Sequence, residues 1–200
     1  MATLPTDLPV TYSDVMQAAQ VLAGVAVRTP LLESSALNEQ AGGRLLFKPE
    51  TLQVTGSFKF RGAYNLISRL DASVKKTGVL AYSSGNHAQG TAAAAHYCGT
   101  PALIVMPEDA PEVKKQGTAR WGAEIVSYDR YGTKTREEIA ARLAEDRGLV
   151  LVKPYDDRLI MAGQGTVGLE IMQQLSDCTQ QADRVLIPVS YTHLTLPTKA

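Results

Sequence analysis

Short apolar segments alternate with helical segments along most of the chain, and this alternation restricts the possible folds more than any other feature. Three apolar runs, at residues 78–84, 101–107 and 123–129, are each followed by a segment with helical spacing. A fourth run at 149–154 precedes a helical segment at 165–175. Apolar strands separated by helices of this length are typical of a parallel sheet with right-handed crossovers. The sequence therefore predicts an α/β fold that binds ligands at the carboxyl ends of its strands.

Capping signals and two further strand candidates extend this prediction. Thr11 and Thr135 each stand three residues before an acidic side chain, which is the spacing of a capping box at a helix start. Residues 44–49 and 183–189 are predicted to be strands, the second being the last strand of the fold. Because no linker rich in proline or serine occurs, any division into lobes must arise from the fold itself.

The composition indicates a small-molecule partner. The 200-residue chain carries 20 basic and 20 acidic side chains, which gives a net charge of zero. We therefore expect neither nucleic acid nor a membrane surface as a partner. Cys98 and Cys178 lack the spacing of a disulfide framework or a metal site, so no metal is predicted. The start of the chain has no signal-peptide pattern, and the expected location is cytoplasmic.

One lysine stands between two phenylalanines in the segment TGSFKFRGA. Apolar residues recur after it at three- and four-residue spacing, which predicts a helix with one buried face and places Lys59 at the edge of that face. Gly62 and Ala63 are small neighbours that are expected to leave room beside the ammonium group. An amine in an apolar, partly closed site loses its proton more easily and then attacks carbonyl carbon. The alternative is a lysine that packs its stem on the apolar face and keeps its charge in water.

A second polar segment, SSGNHAQG, lies where the first of the three apolar runs leads into a helix. Gly85 and the amides after it are expected to point out of the helix N-terminus, which attracts anions. Ser83, Ser84, Asn86 and His87 add hydroxyl, amide and imidazole groups that suit a carboxylate and one further oxygen. The alternative is ordinary N-capping with a glycine turn.

A third segment, MAGQGTVGLE, places glycines and an amide at another predicted junction of strand and helix, where close helix packing explains it as well as a ligand does. In this order and at these separations, TGSFKFRGAYN, SSGNHAQG and MAGQGTVGLE closely resemble the threonine/serine dehydratase family of pyridoxal-phosphate enzymes. The resemblance runs from about residue 11 to residue 189. It implies a two-lobed parallel-sheet fold of the tryptophan synthase β-like class, also called fold type II.

The resemblance implies a role for each matching residue. Lys59 forms an imine with the aldehyde of pyridoxal 5'-phosphate, Phe58 packs by the cofactor ring, and Asn86 bonds the ring hydroxyl group. The turn at residues 83–87 holds the carboxylate of an amino-acid substrate. Ser84 matches the acid/base on the opposite ring face in racemases of the family. Lys59 removes the Cα proton, the β-hydroxyl group leaves, and L-threonine or L-serine becomes a 2-oxo acid and ammonia.

The resemblance also implies two lobes and, for the full-length form, a homo-oligomer. Residues 75–152 form the small lobe, and residues 1–74 and 153–189 belong to the large lobe, which is incomplete in this chain. Beyond that point the family continues into a glycine-rich loop that binds the cofactor phosphate, whereas this chain reads SYTHLTLPTKA. We therefore expect residues 190–200 to be a tail of non-native origin and the chain as written to be an inactive fragment.

Other functions are open at this stage. A dinucleotide-binding Rossmann domain has the same alternation, but no GxGxxG fingerprint follows the first strand. A non-catalytic amino-acid-binding module would need the carboxylate turn and would not need Lys59. Within the family, serine racemase and hydroxyaspartate ammonia-lyase are alternatives to a threonine/serine dehydratase, because reprotonation by Ser84 would lead to racemisation.

Overall fold

A four-stranded parallel sheet with helices on both faces forms the centre of the protein. The computed structural model describes residues 9–188. Its helices are α1 (Tyr12–Leu22), α2 (Ser35–Ala41), α3 (Lys59–Ile67), α4 (Ala72–Thr77), α5 (Asn86–Tyr97), α6 (Glu112–Ala119), α7 (Arg136–Arg147) and α8 (Arg158–Asp177). Its strands are β1 (Leu32–Glu33), β2 (Leu46–Phe47), β3 (Val79–Tyr82), β4 (Ala102–Pro107), β5 (Glu124–Tyr128) and β6 (Val150–Leu151), and a 3-10 helix spans Glu50–Leu52.

The structure confirms the predicted parallel sheet. The strand order is β5, β4, β3, β6, and every pairing in this sheet is parallel. Val79 in β3 lies opposite Ala102 in β4 and opposite Val150 in β6. The carboxyl ends of the strands therefore meet at one edge, where the turn at residues 83–87 leaves β3.

Alternate residues of the central strands enter two separate apolar cores. Ile104 and Met106 of β4 pack in one core with residues of α3 and α5. Leu103 and Val105 pack in the other core with Ala140 of α7. Because helices cover both faces, β4 is buried along its whole length and its sequence is apolar throughout.

The helix ends follow the signals in the sequence. Thr11 and Thr135 form capping boxes with Asp14 and Glu138, which confirms both predicted helix starts. Gly148 caps the C-terminus of α7, and its φ of 64° lies in the left-handed region that glycine adopts without strain.

The strand predicted at 44–49 is confirmed, and the strand predicted at 183–189 needs correction. The segment at 44–49 contains β2, which pairs antiparallel with β1 and does not join the parallel sheet. Residues 183–188 form no strand and carry exposed apolar side chains, while residue 189 lies outside the described residues. A strand needs a neighbour for its backbone N–H and C=O groups, and no strand within residues 9–188 pairs with this segment.

The helices differ from the predictions in length and number. The helix predicted at 165–175 begins earlier, because Asp157 caps it by accepting hydrogen bonds from the amides of Leu159 and Ile160. The segment MAGQGTVGLE therefore lies inside α8 rather than at its start. The helices α2 and α4 were not predicted, because they are too short to show periodicity. Among the described helices, none is long and apolar enough to cross a membrane.

Candidate active site

Lys59 is the first residue of α3, and its side chain is half-buried. Its Nζ atom donates a hydrogen bond to the carbonyl oxygen of Pro154 at 2.6 Å and lies 5.3 Å from the centroid of the Phe58 ring. Burial disfavours the charged form, so the pKa of Lys59 is lowered. The amine is therefore closer to its neutral, nucleophilic form than the amine of a surface lysine.

Glycines allow α3 to approach two other helices closely. A Cβ atom at Gly90 of α5 would lie 3.0 Å from the backbone of Lys59 and 3.2 Å from its Cβ atom. A Cβ atom at Gly62 would lie 2.5 Å from the side chain of Gln164 in α8. The expectation that Gly62 leaves room beside the ammonium group is therefore wrong, because Gly62 faces α8. Gly90 is the glycine that lies against Lys59.

A buried ion-pair network fixes the position of α3. Arg61, which is 1% exposed, donates to Glu50 at 2.8 Å and to Glu170 at 2.6 Å. Lys48 pairs with the other oxygen of Glu170. The network joins the segment before α3 to α3 and α8. The network was not predicted, although an arginine next to the buried Phe60 is a signal for a buried acidic partner.

The turn at residues 83–87 leads from β3 into α5. Gly85 is the N-cap of α5, and no side chain of the described residues caps this helix start. The hydroxyl group of Ser83 instead accepts a hydrogen bond from the amide of Gly85 at 3.2 Å. Ordinary side-chain capping therefore does not explain the polar residues of the turn. The positive end of the α5 dipole favours an anion here.

His87 turns into the protein interior. The residue is 4% exposed, and its Nε2 atom lies 2.9 Å from the carbonyl oxygen of Val152. A carbonyl oxygen only accepts hydrogen bonds, so Nε2 carries the hydrogen. Burial is the main cause that lowers the pKa of His87 to about 4, and the nearby charge of Lys59 lowers it further. The ring is therefore neutral at neutral pH. Its Nε2 atom bonds a carbonyl group inside the protein, whereas the sequence led us to expect the imidazole to face a ligand.

A cavity of about 270 Å³ opens at the carboxyl ends of β3, β4 and β5. Its lining residues are Ser83, Ser84, Val105, Pro107, Tyr128, Arg130 and Arg136. Arg130 pairs with Asp109 at 3.0 Å, and Arg136 pairs with Glu137 at 2.8 Å and lies over the ring of Tyr82. The cavity brings the two predicted serines together with two guanidinium groups, which suits an anionic ligand. The arginines were not predicted, because they are remote from the serines in the sequence.

Helix packing explains the third segment. A Cβ atom at Gly163 would lie 2.6 Å from the Cα atom of Gly62 and 2.8 Å from the carbonyl oxygen of Arg61. Gln164 accepts a hydrogen bond from the amide of Gly62 at 3.2 Å. These residues of α8 therefore allow close packing against α3. Helix packing, and not a ligand, explains the glycines of this segment.

Three of the predicted site residues lie close together. Phe58 is the N-cap of α3 and Lys59 is its first residue, and His87 lies in the first turn of α5, near enough to Lys59 for the lysine charge to lower the pKa of His87. Asn86 is exposed beside His87. The predicted lysine and the predicted turn therefore belong to one site at the carboxyl edge of the sheet.

Two other predictions concern a tail and a metal. Residues 190–200, the predicted non-native tail, lie outside the described residues. Within residues 9–188, no group of three or more His, Cys, Asp or Glu side chains is placed to hold a metal ion. The lysine, the turn and the cavity are therefore the candidate functional features of residues 9–188.

A half-buried lysine beside an anion-attracting helix start suits an enzyme whose cofactor carries an aldehyde and whose substrate carries a carboxylate. The family model described as pyridoxal-phosphate dependent enzyme matches residues 22–195. The chain belongs to this family, and its cofactor is pyridoxal phosphate. The resemblance found in the sequence is thereby confirmed.

Several curated relatives share long stretches with this chain. It is 49% identical over 162 residues to an L-threo-3-hydroxyaspartate ammonia-lyase of Pseudomonas sp, covering 81% of this chain and 50% of that protein. It is 45% identical over 180 residues to an L-threonine ammonia-lyase of Thermotoga maritima, covering 90% and 44%. It is 43% identical over 165 residues to a serine racemase of Schizosaccharomyces pombe, covering 82% and 51%. The chain spans about half the length of the curated relatives it matches.

Solved structures have the same fold. A serine racemase from Dictyostelium discoideum matches with a TM-score of 0.78 and 39% identity, covering 84% of this chain and 54% of that one. A threonine deaminase from T.th. matches with a TM-score of 0.79 and 46% identity, covering 86% and 54%. These likenesses confirm the predicted α/β fold of the tryptophan synthase β-like class, fold type II.

The residues around Lys59 fit the cofactor. A half-buried amine with a lowered pKa suits a covalent bond to an aldehyde. The Phe58 ring, close to Nζ, offers an apolar face to an aromatic ring. The hydroxyl group of Ser57 is buried and has no hydrogen-bond partner among the described residues, which leaves it available to a polar group at this place.

Proposed function

We propose that this chain is part of an enzyme that dehydrates and deaminates L-threonine and L-serine with pyridoxal 5'-phosphate. The products are 2-oxobutanoate or pyruvate, and ammonia. The observation that carries the proposal is the position of Lys59, a desolvated amine held beside the first turn of α5. An amine in this state bonds an aldehyde and later accepts a proton. A threonine ammonia-lyase and a threonine deaminase among the similar proteins support this choice.

Each residue of the site has a proposed task. Lys59 would hold the cofactor aldehyde, and its free amine would take the proton from Cα of the substrate. The bound cofactor would supply an electron-withdrawing ring that stabilises negative charge at Cα. Phe58 would pack against that ring, and Asn86 would bond its hydroxyl group. The turn at residues 83–87 binds the substrate carboxylate at the N-terminus of α5.

Ser84 determines which of two products forms. We assign its hydroxyl group, on the cavity side of the turn, as the acid/base on the face opposite Lys59. A proton returned to Cα by Ser84 gives the mirror-image amino acid, whereas loss of the β-hydroxyl group gives elimination. Serine racemase is therefore the alternative activity, and the Schizosaccharomyces pombe relative with that name supports it.

The arginines of the cavity favour a second candidate substrate, L-threo-3-hydroxyaspartate. Arg130 and Arg136 line the same cavity as Ser83 and Ser84. Guanidinium groups recognise carboxylates, and this substrate carries a second carboxylate where threonine has a methyl group. Two relatives, at 49% and 43% identity, are L-threo-3-hydroxyaspartate ammonia-lyases.

The test uses the complete protein with pyridoxal phosphate and measures 2-oxo acid release from L-threonine, L-serine and L-threo-3-hydroxyaspartate. Threonine and serine should both react, because a small cleft discriminates one methyl group by only about 1 to 3 kcal/mol. Arg136→Gln should raise the KM for hydroxyaspartate and leave the KM values for threonine and serine unchanged. Arg142→Gln, on the exposed face of the same helix, should change none of the three KM values. Turnover of hydroxyaspartate alone would move the assignment to a hydroxyaspartate ammonia-lyase. Inactivity on all three substrates would contradict the proposal.

A non-catalytic amino-acid-binding module is the alternative from another class. Such a module would bind a carboxylate at the turn and would make no use of a desolvated amine. A covalent bond between Lys59 and the cofactor therefore distinguishes the enzyme from the module.

We also propose an organisation for the full-length protein. Residues 75–152 form a small lobe that closes on a large lobe containing residues 1–74 and 153–189, and closure excludes water from the site. The full-length form is a cytoplasmic homo-oligomer. The chain as written is inactive, because SYTHLTLPTKA offers no glycine-rich loop to the cofactor phosphate.

A further inference from the structure

The segment between β6 and α8 receives two hydrogen bonds from side chains of the site. His87 donates to the carbonyl oxygen of Val152 at 2.9 Å, and Lys59 donates to the carbonyl oxygen of Pro154 at 2.6 Å. Only Lys153, which is exposed, separates the two carbonyl groups in the chain. Residues 152–154, the crossover segment, therefore connect a histidine of α5 with the lysine of α3.

The two ends of the crossover segment are held differently. Val152 is buried, and its amide donates to the carbonyl oxygen of Leu80 at 2.8 Å, which extends the pairing of β6 with β3. With its amide and its carbonyl group both bonded, Val152 has a fixed peptide orientation. Pro154 has no N–H group and so cannot anchor itself to the sheet in this way. The position of its carbonyl oxygen depends on the residues before it.

We infer that His87 is a positioning residue for Lys59: its bond to Val152 fixes the crossover segment, whose Pro154 carbonyl then holds the lysine amine. This inference rests on the proposed function, in which Lys59 is the amine that bonds the cofactor. His87 itself touches neither substrate nor cofactor through Nε2, because that atom is bonded inside the protein. Its ring acts through the backbone.

The protonation state of His87 agrees with this role. A neutral ring with hydrogen on Nε2 donates to the carbonyl group and adds no positive charge beside Lys59. A charged ring at the same place would repel the ammonium group. Loss of the bond would free the crossover segment and let water reach Nζ, so the amine would regain the solvation of an ordinary lysine.

Competitive acetylation tests the inference without cofactor or turnover. This chain is treated with a trace of acetic anhydride over a range of pH, and peptide mass spectrometry gives the labelling midpoint of each lysine. The variants are His87→Ala, His87→Gln, which keeps an N–H donor, and His96→Ala, which removes an exposed histidine from the same helix. Lys153 of the crossover segment, with its exposed side chain, is the internal reference.

In His87→Ala, the pH at which labelling of Lys59 is half-maximal should rise toward the value for Lys153. At a given pH, about tenfold less of the Lys59 amine should be neutral. His87→Gln should restore most of the original value, because its amide group donates to Val152. His96→Ala should leave the midpoint unchanged. Because labelling needs no cofactor, a failure of the proposed function would be seen in the cofactor experiment and not here.

An unchanged Lys59 midpoint in folded His87→Ala would overturn the inference, as would equal shifts in His87→Ala and His87→Gln. If His87→Ala does not fold, the imidazole NMR signals of the unmodified chain decide. A neutral ring with hydrogen on Nε2 is the expected result. Hydrogen on Nδ1 alone would exclude the bond to Val152 and overturn the inference.

Discussion

Gly62 in α3 and Gly163 in α8 face each other so closely that a Cβ atom at Gly163 would lie 2.6 Å from the Cα atom of Gly62. The distance between the two helices is therefore set by the absence of side chains. Because Lys59 is the first residue of α3, this contact also determines where the lysine lies relative to α8 and to Pro154.

Gly163→Ala should destabilise the protein by about 1 to 3 kcal/mol, because the added methyl group forces the backbones of α3 and α8 apart. Gly168→Ala is the matched control in the same helix. A Cβ atom there meets nothing within 4 Å, so alanine should stabilise the helix by about 0.5 to 1 kcal/mol. Urea unfolding measures both changes, and equal effects at the two positions would contradict the packing argument.

Arg61→Met should lower the free energy of unfolding by about 3 to 5 kcal/mol, because Glu50 would keep a buried charge without its ion-pair partner and Glu170 would keep only Lys48. Arg142→Met is the control. Arg142 pairs with Asp146 at 3.6 Å with both side chains exposed, and such pairs contribute about 1 kcal/mol or less. If the two variants lose the same stability in urea, the network around Arg61 does not fix α3.

The stability of the protein should depend on His87 in mildly acidic solution. Its pKa is about 4 in the folded protein against 6.5 for an ordinary histidine, so the unfolded chain binds more protons between these values. The free energy of unfolding should therefore fall as pH falls through this window, by about 3 kcal/mol in total.

His87→Gln supplies the comparison, because glutamine does not titrate and keeps a hydrogen-bond donor. Chemical unfolding of both proteins from pH 7 to pH 4 separates the contribution of His87 from that of the carboxyl groups. A variant that loses stability as steeply as the unmodified protein would show that His87 is not the buried titrating group.

The alternation in the sequence was enough to predict β3, β4, β5 and the helices between them, because periodicity and capping are local properties. Ile104 and Leu103 lie on opposite faces of β4 as a two-residue period requires. The prediction of a strand failed at residues 183–188, because strand pairing is not a local property of the sequence. The apolar run there has the composition of a strand, but a strand exists only with a neighbour.

The site was predictable in part. The position of Lys59 at the edge of a buried face followed from spacing, whereas the partners of its amine did not. Pro154 and Val152 reach the site only through the parallel pairing of β6 with β3. Arg136 and Ser84 line the same cavity because the sheet places the carboxyl ends of three strands together, which no short motif records. Contacts of this kind depend on the whole fold.

Replacing residues 190–200 with the glycine-rich loop and continuation of the family should strengthen cofactor binding. Charge-assisted hydrogen bonds contribute about 1.5 to 3 kcal/mol each, so three or four from the loop amount to about 6 kcal/mol, roughly ten-thousandfold in affinity. A cofactor titration compares the 200-residue chain with the extended protein.

The control for this titration is an extended protein that keeps SYTHLTLPTKA in place of the loop. It should bind the cofactor as weakly as the 200-residue chain. If that chain saturates at micromolar cofactor and converts threonine, its last residues contain a phosphate site and the argument from the glycine loop is wrong.

The proposed function depends on Lys59 as the residue that bonds the cofactor. Lys59→Ala in the complete protein should abolish the visible absorbance of bound pyridoxal phosphate and lower turnover by orders of magnitude, with the fold intact. Lys153→Ala, at an exposed lysine of the crossover segment, is the control and should change neither.

The most direct measurement is reduction of the loaded protein with borohydride, followed by peptide mass mapping of the pyridoxyl group. The half-buried amine with the lowered pKa should carry the label, so it should be found on Lys59 and on no exposed lysine in comparable amount. A label on another lysine, or full labelling and visible absorbance in Lys59→Ala, would contradict the assignment of Lys59.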